Sequence, residues 1–290
     1  MNFLRNLFRE SVLRILVWAS VISEILIVVT GGAVRLTASG LGCPTWPTCT
    51  KDSLVTVPAM GIHGIIEFSN RLLTFVLLII AVFTAIAAFR NNNGRRLLSP
   101  ALLLIGGIFV QAVVGGISVL AKLNPWVVGL HFVVSGAMIG VASLLLWRTY
   151  SPKVSTASQL ESRLSSLVTV LGAFTIVIGI VVTGSGPHAG DINTPRNGLD
   201  PELWQRFHSL PAYLTLIFTS ILLFLVRRRD VDGYASRLVF WTLISLILQA
   251  IVGITQAQLG LPAGLVILHL LLASTFVSLL TLQRFALRRS

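Results

Sequence analysis

His63-Gly64-Ile65-Ile66-Glu67-Phe68-Ser69-Asn70-Arg71 opens a segment that runs on to Phe89 with only Thr74 and Thr84 as further polar residues. From Ile62 to Phe89 the run is long enough to cross a bilayer core of about 30 Å as a helix. On a helix, positions 63, 67 and 70 are spaced four and three apart and share one face. A carboxylate inside a membrane helix is costly and by default marks a site. Two readings stand side by side: Glu67 as a buried acid paired with Arg71 one turn on, or Glu67 as the centre of an active site.

The rest of the chain has the same character. Of its 290 residues, 54% are hydrophobic and 11% charged, against about 25% charged in soluble domains, and the mean hydropathy is +0.87. Apolar segments of spanning length fall near 13–34, 62–89, 98–121, 125–148, 165–184, 205–226, 237–259 and 262–284. The first is too long for a signal-peptide core and carries Glu24 at mid-span, so it is expected to be a retained helix. The fold class is therefore an all-α integral membrane protein with eight transmembrane helices.

The net charge of +12 does not point to nucleic acid, because its distribution follows the membrane. One set of loops holds sixteen basic residues, Arg5, Arg9, Arg14, Arg90, Arg95, Arg96, Arg148, Lys153, Arg163, Arg227, Arg228, Arg229, Arg237, Arg284, Arg288 and Arg289. The other side holds five: Arg35, Lys51, Lys122, Arg196 and Arg206. The positive-inside rule then places both termini in the cytoplasm. Cys43 and Cys49 fall on the outer side, where a disulfide closing a small loop is expected. Free thiols and a redox-active pair are the alternatives, and spacing does not separate the redox pair from the structural bridge.

An internal repeat organises the chain. Gln111-Ala112-Val113-Val114-Gly115 is echoed by Gln249-Ala250-Ile251-Val252-Gly253, and each glutamine is followed twenty residues later by a histidine, His131 and His269. The offset is 138 for the glutamine (111 to 249) and for the histidine (131 to 269). It maps Glu67 to Gln205, Asn70 to His208 and Arg71 to Ser209. Two pseudo-symmetric four-helix bundles are expected, an N-terminal half over 1–150 and a C-terminal half over 151–290, each with its own pocket.

Histidines give the pockets their chemistry. His131, His208 and His269 lie one to two turns inside their helices, roughly 10 Å below the outer surface for the deeper ones at about 1.5 Å per residue. A lone histidine of this kind ordinarily makes an interhelical hydrogen bond. His208 and His269, at equivalent depth in one half, suit ligation of a haem iron on both faces. Arg196 and Arg206 in that half, and Arg35 and Arg71 in the other, suit haem propionates, although a terminal arginine more commonly sits at the headgroup level. His188 reads as a surface residue, Glu24 as a buried acid or a functional one, and Gln111 and Gln249 as helix ties.

With these motifs in place the chain resembles haem A synthase, the eight-helix membrane enzyme of cytochrome oxidase biogenesis. The resemblance covers essentially the whole length. It rests on Thr30-Gly31-Gly32-Ala33-Val34-Arg35-Leu36-Thr37 followed by Gly40-Leu41-Gly42-Cys43-Pro44-Thr45-Trp46-Pro47, on Glu67 to Arg71, and on one histidine each in the fourth, sixth and eighth helices. It implies oxidation of the haem O methyl group to the formyl group of haem A with molecular oxygen, by successive hydroxylations and loss of water. It implies haem b between His208 and His269, substrate haem O in the first half with His131 as ligand, and Glu67 beside the reacting carbon. Cys43 and Cys49 match the family's outer-loop cysteines, and the implied location is a bacterial plasma membrane. The electron donor, a homo-oligomeric state and docking with haem O synthase are left open.

One departure stands out. The better-known family pattern is Glu-x-x-His-Arg, and this chain has Asn70 at the histidine position, as the repeat independently indicates. An amide is a poor iron ligand, so either His131 alone holds the substrate iron or His63 supplies the second imidazole. His63 is two turns from Asn70 on the same face, about 10 Å further out. Two other functions fit parts of the pattern: a di-haem electron-transfer cytochrome, which leaves Glu67 and the cysteine loop without a role, and a transporter with paired halves, which would bind no haem.

Overall fold

The computed structural model describes residues 10–91, 94–152, 156–229 and 233–288. Arg5, Arg9, Lys153 and Arg289 of the charge pattern lie outside the described residues. Among the described residues there is no strand, and the order is α1 (Glu10–Leu36), a 3-10 turn (Pro58–Met60), α2 (Gly61–Phe89), α3 (Gly94–Leu120), α4 (Pro125–Tyr150), α5 (Gln159–Ser185), α6 (Pro201–Arg227), α7 (Tyr234–Gln258) and α8 (Ala263–Ala286). All eight α-helices are long and apolar enough to cross a membrane.

Seven of the eight starts and all the ends fall within four residues of the hydropathy boundaries. The larger difference is at α5, which begins at Gln159 rather than near 165. Its first turn is polar and is held by a reciprocal cap: Glu161 Oε2 accepts from the Ser158 N–H (2.6 Å), and Ser158 Oγ accepts from the Glu161 N–H (3.2 Å). Capping extends a helix into the headgroup region, where hydropathy gives no signal. Proline serves the same purpose as the first residue of α4 and of α6, where its missing N–H would be unpaired in any case.

Packing is inverted relative to a soluble bundle. On α1 the buried face is Leu13, Val17, Ser20, Val21, Glu24, Val28 and Gly32, a stripe of helical period that includes the polar Ser20 and Glu24, while Ile15, Trp18, Ile22 and Leu26 are exposed. On α2 the small residues Ala81, Ala85 and Ala88 are buried, and Leu72, Phe75, Ile79 and Phe83 face outward. Lipid supplies no hydrophobic drive between helices, so small side chains and hydrogen bonds hold them. Ser20 Oγ and Thr84 Oγ1 meet across α1 and α2 at 3.2 Å.

Two compact units result. One contains the described chain through Thr149 together with Ile180–Pro201, and the other contains Tyr150–Gly179 and the described part of Glu202–Ser290. The last turn of α5 and the loop after it thus pack with α1–α4. In the first unit that loop is pinned to the end of α1: the Gly40 N–H donates to the Gly190 carbonyl (2.8 Å), and Arg35 Nη2 donates to the Thr183 carbonyl.

Candidate functional site

Glu67 sits in the second turn of α2 and is only 6% exposed. Its Oε1 accepts from Arg71 Nε (3.1 Å) and Nη2 (2.5 Å), and its Oε2 accepts from the Cys43 backbone N–H (2.6 Å). Arg71 reaches further, with Nη2 donating to the Cys43 carbonyl (2.9 Å) and Nη1 to the carbonyls of Thr45 (3.1 Å) and Thr48 (3.3 Å). A guanidinium has five N–H donors, and these bonds engage all of them. In this arrangement Arg71 has none left for a propionate.

Glycine makes the contact possible. A Cβ on Gly42 would run into the His63 carbonyl, and one on Gly64 would meet Met60 Cβ and Thr56 Oγ1. The loop backbone therefore lies directly on the opening turn of α2, which carries the Cys43 N–H to Glu67. Cys43 and Cys49 are joined by a disulfide and fully buried. The Trp46 indole lies over Gly116 of α3, where any side chain would strike it. Glu67, Arg71, Cys43 and Cys49 thus form one cluster, tied at both ends of the cysteine loop.

The other first-unit residues surround this cluster less tightly. Asn70 is half-buried, with a buried Oδ1 that has no partner. His63 is exposed, and its Nδ1 lies 2.9 Å from Oγ of the fully buried Ser39. The His131 ring packs on Gly115 of α3, where a Cβ would come within 3.2 Å of Cε1. Gln111 Nε2 donates to the His131 carbonyl (3.2 Å) and to Ser135 Oγ (2.5 Å), which fixes the backbone of α4 beside the ring. His131 Nδ1 is buried without a partner.

The second unit repeats the plan. His269 packs on Gly253 of α7, with a Cβ there 3.1 Å from Cε1, and Gln249, its amide nitrogen turned toward α8, donates to the His269 carbonyl at 3.1 Å. His208 packs on Gly179 of α5, with a Cβ there 2.8 Å from Cε1, and its Nδ1 bonds the Thr175 carbonyl at 2.9 Å. A carbonyl only accepts, so Nδ1 carries the proton and Nε2 keeps its lone pair, the arrangement that orients a metal-bound histidine. His208 lies within electrostatic reach of His269. Arg206 is exposed at the start of α6. Arg196, in the first unit, donates to the Thr194 carbonyl (3.1 Å) and the Pro187 carbonyl.

Among the described residues no group of three His, Cys, Asp or Glu side chains could hold a bare metal ion. A haem iron takes its equatorial ligands from the porphyrin and needs only axial imidazoles, which histidines on glycine shelves can present. Gly179, Thr175, Ser39 and Gly64 were not singled out from the sequence. Gly179 has no counterpart in the repeat that would have flagged it, and the others act through backbone approach or a hydroxyl contact.

The sequence model of the COX15-CtaA family, described as cytochrome oxidase assembly protein, matches residues 14–62 and 54–281. A heme A synthase of Staphylococcus epidermidis is 28% identical over 235 residues, 74% of this chain and 75% of its own length. One from Exiguobacterium sp. is 24% identical over 91% of this chain and 90% of its own, and one from Listeria monocytogenes serotype 4a is 25% identical over 91% and 92%. With the family match running from α1 to α8, the chain belongs to the COX15-CtaA family of cytochrome oxidase assembly proteins.

Proposed function

We propose that the protein is a haem A synthase, a multi-pass enzyme of the cell membrane that oxidises the methyl group of haem O to a formyl group. The observation that carries this reading is the Glu67–Arg71 pair locked to the Cys43–Cys49 loop, at the position of the family's acidic motif. The reaction consumes two O₂, four electrons and four protons for each methyl group and releases three waters, so the protein must handle protons beside a buried substrate.

In this reading substrate haem O lies in the first unit with His131 as an iron ligand, and Glu67 faces the reacting carbon. Arg71 fixes Oε1, which leaves the second lone pair of Oε2, beside the Cys43 N–H, to accept or return a proton at the methyl-derived carbon. The loop's close contact with α2 limits water at that point. Nε2 of His208 and of His269 would hold haem b in the second unit, supported by the Thr175 bond and the glycine shelves at Gly179 and Gly253. Bound there, it supplies one-electron transfer, to which two strong imidazoles are suited. Arg206, exposed at the start of α6, is the propionate candidate within that unit. In the first unit Asn70 offers an amide, a poor iron ligand, where the second half has His208.

The test is haem extraction and mass analysis after expression with a haem O supply. The wild type is expected to yield haem in which two hydrogens are replaced by an oxygen. Glu67→Gln, which keeps the side chain's size and its contact with Arg71, is expected to accumulate haem O or the hydroxylated intermediate. Unchanged haem A from Glu67→Gln would remove Glu67 from the chemistry.

A further inference from the structure

At the basic-poor end of the first unit a small recess is lined by Arg35, Leu123, Val128, Phe132, Ile180 and Thr194, among others. Most of the lining residues have apolar side chains; two do not. Arg35, in the last turn of α1, gives Nη2 to the Thr183 carbonyl, but its Nε is buried with no partner. Thr194, in the loop after α5, is 8% exposed, and its Oγ1 is likewise buried with no partner. Buried polar groups are almost always satisfied, and here two donors are left unsatisfied in one cavity.

Charge points the same way. Arg196 is close enough to Arg35 for the two guanidiniums to repel. Neither Arg35 nor Arg196 forms an ion pair with a carboxylate among the described residues. Arg196 uses its own N–H groups on the Thr194 and Pro187 carbonyls, which holds Thr194 in place. Two neighbouring cations and two unpartnered donors on residues lining one recess call for an oxyanion.

The recess also lies next to an iron-ligand candidate. Phe132 follows His131 directly on α4, Val128 is one turn before it, and Gly129 faces Ile180. We infer that this recess is the propionate subsite of the first unit, with Arg35 Nε and Thr194 Oγ1 each donating to a carboxylate oxygen of the substrate haem. The inference rests on the assignment of the substrate haem to this unit. It gives the loop after α5, which lies in the C-terminal half of the sequence, a role in binding substrate in the first unit. Of the two first-half arginines that suit propionates, it keeps Arg35 and sets aside Arg71, whose donors are engaged. A phospholipid headgroup offers the same chemistry and is the competing occupant.

The experiment titrates purified, haem-loaded protein with further iron protoporphyrin and with its dimethyl ester, followed by absorbance. Wild type is expected to bind the diacid about tenfold more tightly than the ester. Thr194→Val, which removes only the hydroxyl, and Arg35→Gln are each expected to weaken diacid binding severalfold and to leave ester binding unchanged. Equal affinity of wild type for diacid and ester overturns the assignment, as do variants that weaken both ligands alike. Native mass spectrometry provides the second arm: loss of a co-purifying anionic phospholipid from both variants, with diacid preference intact, assigns the recess to lipid and also overturns it. Haem A production by the wild type, measured in parallel, separates failure of this subsite from failure of the activity.

Discussion

At the residue scale Arg71 and Glu67 form the arrangement whose disruption has the largest expected cost. Glu67 is almost fully buried and Arg71 mostly so, and removing one member of a buried pair leaves a charge without a partner, typically at about 3–5 kcal/mol. Arg71→Met strands the Glu67 carboxylate and releases three loop carbonyls. It is expected to lower the unfolding temperature in detergent and to expose the cysteine loop to reductant. Arg71→Met combined with Glu67→Gln removes both charges and is expected to recover most of the thermal stability but none of the haem A production. If the double variant is no more stable than Arg71→Met alone, the loop carbonyls and not the ion pair dominate. Lysine cannot substitute, since an ammonium has three donors and no fork, whereas Arg71 spends five on Glu67 and the loop carbonyls. The helical spacing of 67 and 71 made the pair legible in the sequence. The carbonyls of Cys43, Thr45 and Thr48 were not, because a backbone acceptor has no residue-type signature.

At the scale of helices, the contact of α6 with α5 at His208 and Gly179 allows a test in which stability and function move in opposite directions. A methyl at Gly179 would lie 2.8 Å from His208 Cε1 and 3.1 Å from Nδ1, so the ring must leave the Thr175 carbonyl. Alanine is also the better helix former, by up to about 1 kcal/mol. Gly179→Ala is therefore expected to keep or raise fold stability while shifting the absorption spectrum of the retained haem and weakening its retention. Gly106→Ala is the control, because no atom lies within 4 Å of a Cβ there, and its spectrum should be unchanged. An unaltered spectrum in Gly179→Ala would mean that His208 is not an iron ligand. The helices themselves were legible from hydropathy and period. The start of α5 was missed because the Ser158–Glu161 cap is polar, and Gly179 because a shelf glycine looks like any other small residue on a membrane helix.

At the scale of the whole molecule, the proposed function asks one half of a repeated sequence to hold a haem and the other to change it. The sequence offset pairs Glu67 with Gln205, Asn70 with His208 and Arg71 with Ser209, so the chemical difference between the halves is concentrated at three positions in one stretch of helix. Besides His131 the first unit holds His63 and, in the loop after α5, His188; His63 is the one on the helix face of Glu67 and Asn70. Its Nδ1 is anchored at 2.9 Å by Ser39, and if Ser39 Oγ accepts that proton, Nε2 is free in the same sense as that of His208. Compensation between positions 63 and 70 separates a ligand from a bystander. If His63 replaces the missing ligand, His63→Ala should reduce substrate-haem affinity by at least tenfold, a loss of about 1.4 kcal/mol, and shift the substrate haem's spectrum toward a five-coordinate form. Asn70→His in the same chain should then restore both, because it puts an imidazole back at the counterpart of His208. A purely structural role for His63 would not be rescued from two turns away. If His63→Ala leaves affinity and spectrum unchanged, His131 is the only imidazole on the substrate iron, and the asymmetry of the two units is complete at that site.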